Sequence, residues 1–181
     1  MRINWQLWRS RVTKETCEQI ISNVPSTQEA TTFGGESTHR SSKIHFIEHD
    51  TPDYALAMQM LGFFVNEANE KVFGFNIHQK ADFQYTEYRA SEDGHYGLHH
   101  DIDWNRDDGF DRKLSITVQL SAPEDYDGGD FVFTEVENLP EGYKEQGSVL
   151  VFPSYLTHQV TPVTRGVRRS LVAWFEGPRW Q

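Results

Sequence analysis

Hydrophobic spacing changes once along this chain. The first two-fifths follow the period of about 3.6 residues that marks a helix, and the remainder follows the two-residue alternation of strands. Cys17, Ile20, Ile21 and Val24 recur at helical spacing behind Thr13, a residue suited to cap a helix, and Pro25 ends the run. Residues 26–42 are rich in Ser, Thr and Gly without a period, which predicts a loop; Lys43 to Ile47 then predicts a short strand. Thr51-Pro52 opens a second helix, with Pro at the favoured first position, and Gly74 closes it. Leu56, Met60, Phe63, Phe64 and Glu67 track one face of that helix. Beyond it, strands are expected at Phe83–Tyr88, Leu114–Leu120, Phe131–Thr134, Ser148–Phe152 and Ser170–Phe175, with His158-Gln159-Val160 as a further extended segment. Short strands separated by Gly and Pro turns predict a sandwich or barrel, the helices packing on the outside of one sheet.

At 181 residues the chain fits one domain, and 12 Phe, 7 Tyr and 5 Trp supply a core although only 37% of residues are hydrophobic. The balance of 27 acidic against 17 basic side chains gives a formal charge of -10. Without a basic stripe, nucleic acid is a disfavoured partner. Cys17 is the sole cysteine, so an intramolecular disulfide is excluded and a reducing compartment fits. No apolar run reaches the length of a signal peptide core or of a membrane helix, so a soluble, cytoplasmic protein is expected.

Chemistry concentrates in Gly94-His95-Tyr96-Gly97-Leu98-His99-His100-Asp101. Residues two apart in a strand share a face, so His99 and Asp101 can reach one metal, and His158 can complete a set of two imidazoles and one carboxylate. That set holds ferrous iron on one side and leaves its other positions open. His100 and Asp103 form a rival pair on the opposite face, and His39, His45, His49, His78 and His95 read as surface or loop residues. Gly94 and Gly97 suit an irregular backbone just ahead of the ligands. Arg168 adds a cation able to grip an acidic co-substrate through two parallel hydrogen bonds, with Arg165 and Arg169 as competitors.

The wider register of motifs resembles the iron(II)- and 2-oxoglutarate-dependent dioxygenases, in the prolyl 4-hydroxylase-like branch that includes PKHD-type bacterial and phage hydroxylases. The resemblance runs over residues 83–176 through Gln84-Tyr85-Thr86-Glu87-Tyr88, residues 94–101, Arg112-Lys113-Leu114-Ser115, residues 120–130, Phe152-Pro153-Ser154, His158 to Val163 and Gly166 to Ser170. It implies a mainly β (α+β) fold, a double-stranded β-helix or jelly-roll core, with supporting N-terminal helices. It implies one domain over 1–181, with 1–75 a helical support and 76–181 the core. Its iron ligands match His99, Asp101 and His158, selecting His99 over His100, and its 2-oxoglutarate arginine matches Arg168. Tyr88, Ser170 and Gln119 are expected beside the co-substrate, and Trp174 is expected to pack. Gln119 departs from the aromatic residue that relatives commonly carry there.

The implied cofactors are Fe(II), 2-oxoglutarate and O2, with ascorbate as reductant. The implied reaction hydroxylates a prolyl residue in a peptide or protein; a free amino acid or other small molecule, or a non-catalytic jelly-roll module, are the alternatives. Loops 32–43 and 102–112 are expected near the mouth of the site, where the acidic segment after Asp101 reads as solvated.

Overall fold

Two antiparallel sheets face each other, and the second half of the chain supplies most of both. The computed structural model describes residues 3–30 and 38–180. The strands are β1 (Gln6–Trp8), β2 (Gln28–Glu29), β3 (Arg40–Ser41), β4 (Lys43–Phe46), β5 (Ala81–Arg89) and β6 (His95–His99), followed by β7 (Phe110–Gln119), β8 (Tyr126–Gly128), β9 (Phe131–Phe133), β10 (Val149–Pro153), β11 (His158–Val160) and β12 (Val163–Pro178). The larger sheet runs β1-β10-β7-β12-β5-β4-β2 with β8 paired to β12, and the smaller runs β3-β6-β11-β9. This is the double-stranded β-helix that the sequence motifs imply.

Two helices cover the outer face of the larger sheet. α1 (Lys14–Asn23) begins where expected, the Thr13 hydroxyl accepting from the Thr16 amide at 3.2 Å. α2 (Pro52–Ala68) is capped by Thr51 in the same way, then widens into a π turn at Asn69–Phe73 that ends on left-handed Gly74. The buried face of α2 differs from the expected one. Ala57, Leu61, Phe64, Val65 and Ala68 are buried, together with Gly62, whereas Leu56 and Phe63 are exposed, Phe63 at 63%. Ala57 and Ala68 are small enough to let the helix lie close to the sheet, and the larger side chains at 56 and 63 turn outward.

Further expectations are corrected. Residues 3–75 are more than a helical support, because they add β1 and β4 to the larger sheet and β3 to the smaller. The stretch 26–42 carries β2 and β3 near its ends, while residues 31–37 of it, and so half of the proposed 32–43 loop, lie outside the described residues. Arg165, a competitor of Arg168 in sequence, lies on the long β12, and its Nε donates to Asp127 at 2.6 Å. The 102–112 segment is a loop only as far as Gly109, since β7 starts at Phe110.

Strand alternation splits the interior in two. Phe83, Tyr85, Leu114, Ile116, Val118, Leu171, Ala173 and Phe175 point under the helices and form one apolar cluster. Leu114 and Ile116 are fully buried, and truncating either to Ala costs about 2–5 kcal/mol. Residues on the opposite face of the same strands look between the sheets, and there the side chains are largely polar: Gln84, Thr86, Ser115, Thr117, Gln119, Arg168 and Ser170, all buried. A row of buried polar groups is costly unless each has a partner, so this face carries the chemistry. Among the described residues no helix is long and apolar enough to cross a membrane.

Candidate metal and co-substrate site

The site forms where the two sheets approach. His99 ends β6 and His158 starts β11, and the two residues are directly paired across those strands. Asp101 lies in the bend after β6, not on the strand, and its backbone N–H donates to Ser154 O at 2.9 Å. The bend replaces the simple strand alternation expected for His99 and Asp101, yet it delivers both to the same point. One ligating atom from each of His99, Asp101 and His158 lies within 4.8 Å of the others. His99 Nε2 is 3.6 Å from Asp101 Oδ1, and His158 Nε2 is 3.8 Å from Asp101 Oδ2.

Hydrogen bonds fix how these groups present themselves. His99 Nδ1 is 2.8 Å from Gly97 O and His158 Nδ1 is 2.8 Å from Leu156 O. A carbonyl only accepts, so each Nδ1 carries its hydrogen and each Nε2 offers a lone pair to the centre of the cluster. Ser115 Oγ donates to Asp101 Oδ2 at 2.6 Å and is itself 2.9 Å from Ser154 Oγ. Tyr96 stacks on His99 with 3.5 Å between ring centroids, and Phe131 stacks on His158 at 5.0 Å. Both rings are thus clamped in the orientation that points Nε2 inward.

Charge follows the same logic. Burial, and then the charge of His158, hold the His99 imidazole well below its ordinary pKa, so it stays neutral and able to ligate. Burial pushes the Asp101 carboxyl up, but His158, His99 and the Ser115 hydrogen bond outweigh it and keep the group anionic. Two imidazoles and a carboxylate on one side of a cavity fit a divalent cation with open positions.

The cluster opens into a cavity of about 280 Å³. Tyr88, Thr117, Phe131, Val172 and Trp174 line it, together with Arg40 and Arg112. A recess of about 10 Å³ adjoins it, sharing Thr117 and Phe131, and contains Arg168 and Gln119. Arg168 is 3% exposed and forms no salt bridge among the described residues, and its buried Nε has no partner. Its guanidinium carbon stands 5.6 Å from the Tyr88 ring, across from Tyr88 in the β12–β5 register. Gln119 donates to the Tyr126 hydroxyl at 3.0 Å, while its Oε1 is buried without a partner. Ser170 pairs with Gln119 on one side and Thr86 on the other. A buried cation without a counter-ion is expensive, and an anionic ligand relieves it. A dicarboxylate reaching from the metal cluster to Arg168 therefore fits the donor set.

The rival residues separate cleanly. His100 reaches only the mouth of the cavity, where it accepts from Trp104 Nε1 at 3.2 Å, and Asp103 caps the Asn105 amide at 3.0 Å. Arg169 faces the outer side and pairs with Glu87 at 3.3 Å. Trp174, expected only to pack, forms cavity wall, and its Nε1 is buried without a partner. Ser115, Tyr96 and Arg112 were not singled out by sequence, although the alternation Ser115, Thr117, Gln119 along an otherwise apolar strand carried a signal. Gly94 and Gly97 are required by close approach rather than by special dihedrals: a Cβ at 94 meets the Tyr88–Arg89 backbone, and one at 97 lies 2.7 Å from the His39 ring. A second cavity, about 330 Å³, lies elsewhere, between the helices and the outer sheet face. Its lining is mostly apolar and contains none of the three clustered metal-ligating residues.

Comparisons with known proteins agree with this geometry. A PKHD-type hydroxylase of Burkholderia ambifaria is 41% identical over 63 residues, covering 35% of this chain and 28% of that one. A PKHD-type hydroxylase of a Synechococcus strain is 38% identical over 84 residues, covering 45% and 37%. The matched stretch thus spans well under half the length of these relatives. A crystal structure of a Pseudomonas putida prolyl-4-hydroxylase superposes with a TM-score of 0.72 at 17% identity, covering 98% of this chain and 94% of that one. A Trichoplax adhaerens prolyl hydroxylase, solved with a hypoxia inducible factor peptide fragment, gives a TM-score of 0.72 at 14% identity, covering 95% and 83%. At such identities these two show a shared fold. The family model of the 2OG-Fe(II) oxygenases matches residues 83–176, the stretch from β5 into β12 that builds both the metal cluster and the arginine recess. The chain belongs to the 2OG-Fe(II) oxygenase superfamily.

Proposed function

We propose that this protein is an iron(II)- and 2-oxoglutarate-dependent dioxygenase that hydroxylates a prolyl residue in a peptide or protein, releasing succinate and carbon dioxide. The observation that carries the reading is one cavity holding a histidine–histidine–aspartate cluster, with a buried arginine that has no acidic partner in the adjoining recess. His99, Asp101 and His158 hold the iron. Arg168 takes the far carboxylate of 2-oxoglutarate, with Tyr88, Ser170 and Gln119 beside it. The whole chain, 1–181, acts as a single domain in this reading.

Iron with 2-oxoglutarate and O2 supplies, when bound, the oxidising power to place an oxygen atom on an unactivated carbon. The chain contributes orientation. Gly97 O and Leu156 O hold the hydrogen of each imidazole on Nδ1 and so aim Nε2 at the centre of the cluster, and Ser115 holds one Asp101 oxygen so that the carboxylate cannot rotate away. Arg168 fixes the co-substrate through a paired, planar contact in a place where water does not compete. Tyr88, Phe131, Phe152 and Val160 wall the cavity with apolar surface and limit side reactions. No side-chain nucleophile is needed.

The prolyl target is supported by the fold shared with prolyl hydroxylases, one of them solved with a peptide fragment, and hydroxylation by the names of the relatives. The test mixes the protein with ferrous iron, ascorbate and 2-oxoglutarate, and measures succinate with and without proline-containing peptides. Peptide-stimulated succinate and a product heavier by one oxygen atom are expected. Succinate release indifferent to every prolyl peptide contradicts the prolyl target; none under any condition contradicts the dioxygenase.

A further inference from the structure

The cavity holds more positive charge than the metal and its co-substrate use. A divalent iron and Arg168 together balance Asp101 and a doubly charged 2-oxoglutarate, and Asp101 is the only acid among the described residues that line the cavity. Arg40 and Arg112 also line it and are left over. This is not a by-product of a basic protein, because the chain carries a formal charge of -10.

Arg112 extends from β7 and lies flat on Trp174, with 3.9 Å from its guanidinium carbon to the ring centroid. Its one side-chain hydrogen bond to a described residue is long, 3.4 Å to the carbonyl of Asp101. Three carboxylates lie near enough to feel its charge: Asp101, Asp82 and Glu176. Each is already engaged, Asp101 by Ser115, Asp82 by His49 and Glu176 by Arg106. Arg40 has only neutral partners among the described residues: Ser42 Oγ at 2.7 Å, Gln84 Oε1 at 2.9 Å and the face of Tyr96 at 4.4 Å. Stacking on Trp174 and Tyr96 holds both guanidinium groups in place; Arg112 keeps most of its N–H groups for a ligand, and Arg40 adds those not given to Ser42 and Gln84. Phe46, exposed at the same cavity, provides apolar surface beside them.

We propose that the substrate brings a carboxylate of its own into this cavity, received by Arg112 with Arg40. This rests on the prolyl reading above and narrows it to proline presented beside an acid. The carboxylate comes either from a neighbouring Asp or Glu side chain or from the free terminus of the chain that carries the proline; both offer the same planar anion.

Matched peptides decide it: proline flanked by Glu, proline flanked by Gln, and the Gln peptide ending in proline with a free or an amidated terminus. KM and kcat are read from succinate release, and affinity from fluorescence anisotropy of the labelled peptides on iron- and 2-oxoglutarate-loaded protein without oxygen. The expected result is that the Glu peptide, or the free-terminus peptide, binds about 10-fold or more tighter than its neutral partner. The ratio collapses in Arg112→Gln, shrinks in Arg40→Gln, partly survives in Arg112→Lys and falls with added salt. Thermal unfolding of each variant identifies any that has lost its fold, and the Arg40→Gln and Arg112→Lys ratios then stand in for it. Equal binding of charged and neutral partners by the wild type overturns the proposal, as does a ratio unmoved in the folded Arg40 and Arg112 variants. If anisotropy shows the charge preference but no peptide is hydroxylated, the anion site stands and the prolyl target falls.

Discussion

Arg168 and Arg169 are neighbours in β12 and live in opposite chemistries. Arg169 points to the outer face, where Glu87 accepts from it at 3.3 Å, from Arg89 at 2.5 Å and from the Tyr85 hydroxyl at 2.7 Å. That network is closed, each charge answered within the fold. Arg168 points between the sheets and meets Tyr88, Gln119 and Gly129, none of them anionic. The difference separates a charge kept for structure from one kept for a ligand. A fold tolerates a buried unpaired cation only where a partner arrives later, and the cost of waiting is borne by the rest of the core.

The comparison breaks most readily at the metal. His158→Ala removes one of three donors and is expected to weaken iron binding by more than about 100-fold, beyond the effect of losing an outer partner of a ligand. Iron titration checks this; unchanged affinity in that variant removes the cluster from the account. Next comes Arg168→Ala, expected to raise the KM for 2-oxoglutarate by about 100-fold while leaving iron affinity close to wild type. Equal loss of both would assign Arg168 to structure, alongside Arg169. Ser115→Ala frees one Asp101 oxygen and is expected to lower iron affinity by about 10-fold, read by the same titration.

The smallest effect is on the outer face and depends on pH. Burial pushes the Glu87 carboxyl up, but hydrogen bonds and charges from Arg89, Tyr85 and Arg169 hold its pKa below the ordinary 4.5. A folded-state pKa below the unfolded one means that the ionised group stabilises the fold above pH 4.5 and that this contribution fades as pH falls through the lowered value. Glu87→Gln is therefore expected to flatten the stability profile on the acid side, measured by denaturant unfolding between neutral and acid pH. A variant whose profile keeps the wild-type slope there would show that the network is not closed by charge.

The sequence announced the helices, the strands and the metal cluster for identifiable reasons. Thr13, Pro25, Thr51 and Pro52 carry their own backbone chemistry, so helix limits were legible. The cluster was legible because its residues fall in a tight motif and one distant histidine. Three things were not. The buried face of α2 is hidden because Phe63 and Leu56 look like core, whereas Ala57, Leu61, Phe64, Val65 and Ala68 take the face toward the sheet. Asp101 leaves the strand because its amide is taken by Ser154, a contact that only the folded chain creates. Arg112 and Arg40 were passed over because an arginine in sequence does not reveal whether an acid will stand beside it.

The central claim is that the recess around Arg168 is built for the far carboxylate of a co-substrate bound at His99, Asp101 and His158. Calorimetric titration of 2-oxoglutarate without oxygen, into iron-loaded wild type, Arg168→Ala and His158→Ala, tests it most directly. The account predicts saturable binding in the wild type, about 100-fold weaker in Arg168→Ala with iron still bound, and none detectable in His158→Ala. Wild-type and Arg168→Ala proteins that bind 2-oxoglutarate with the same affinity would contradict it.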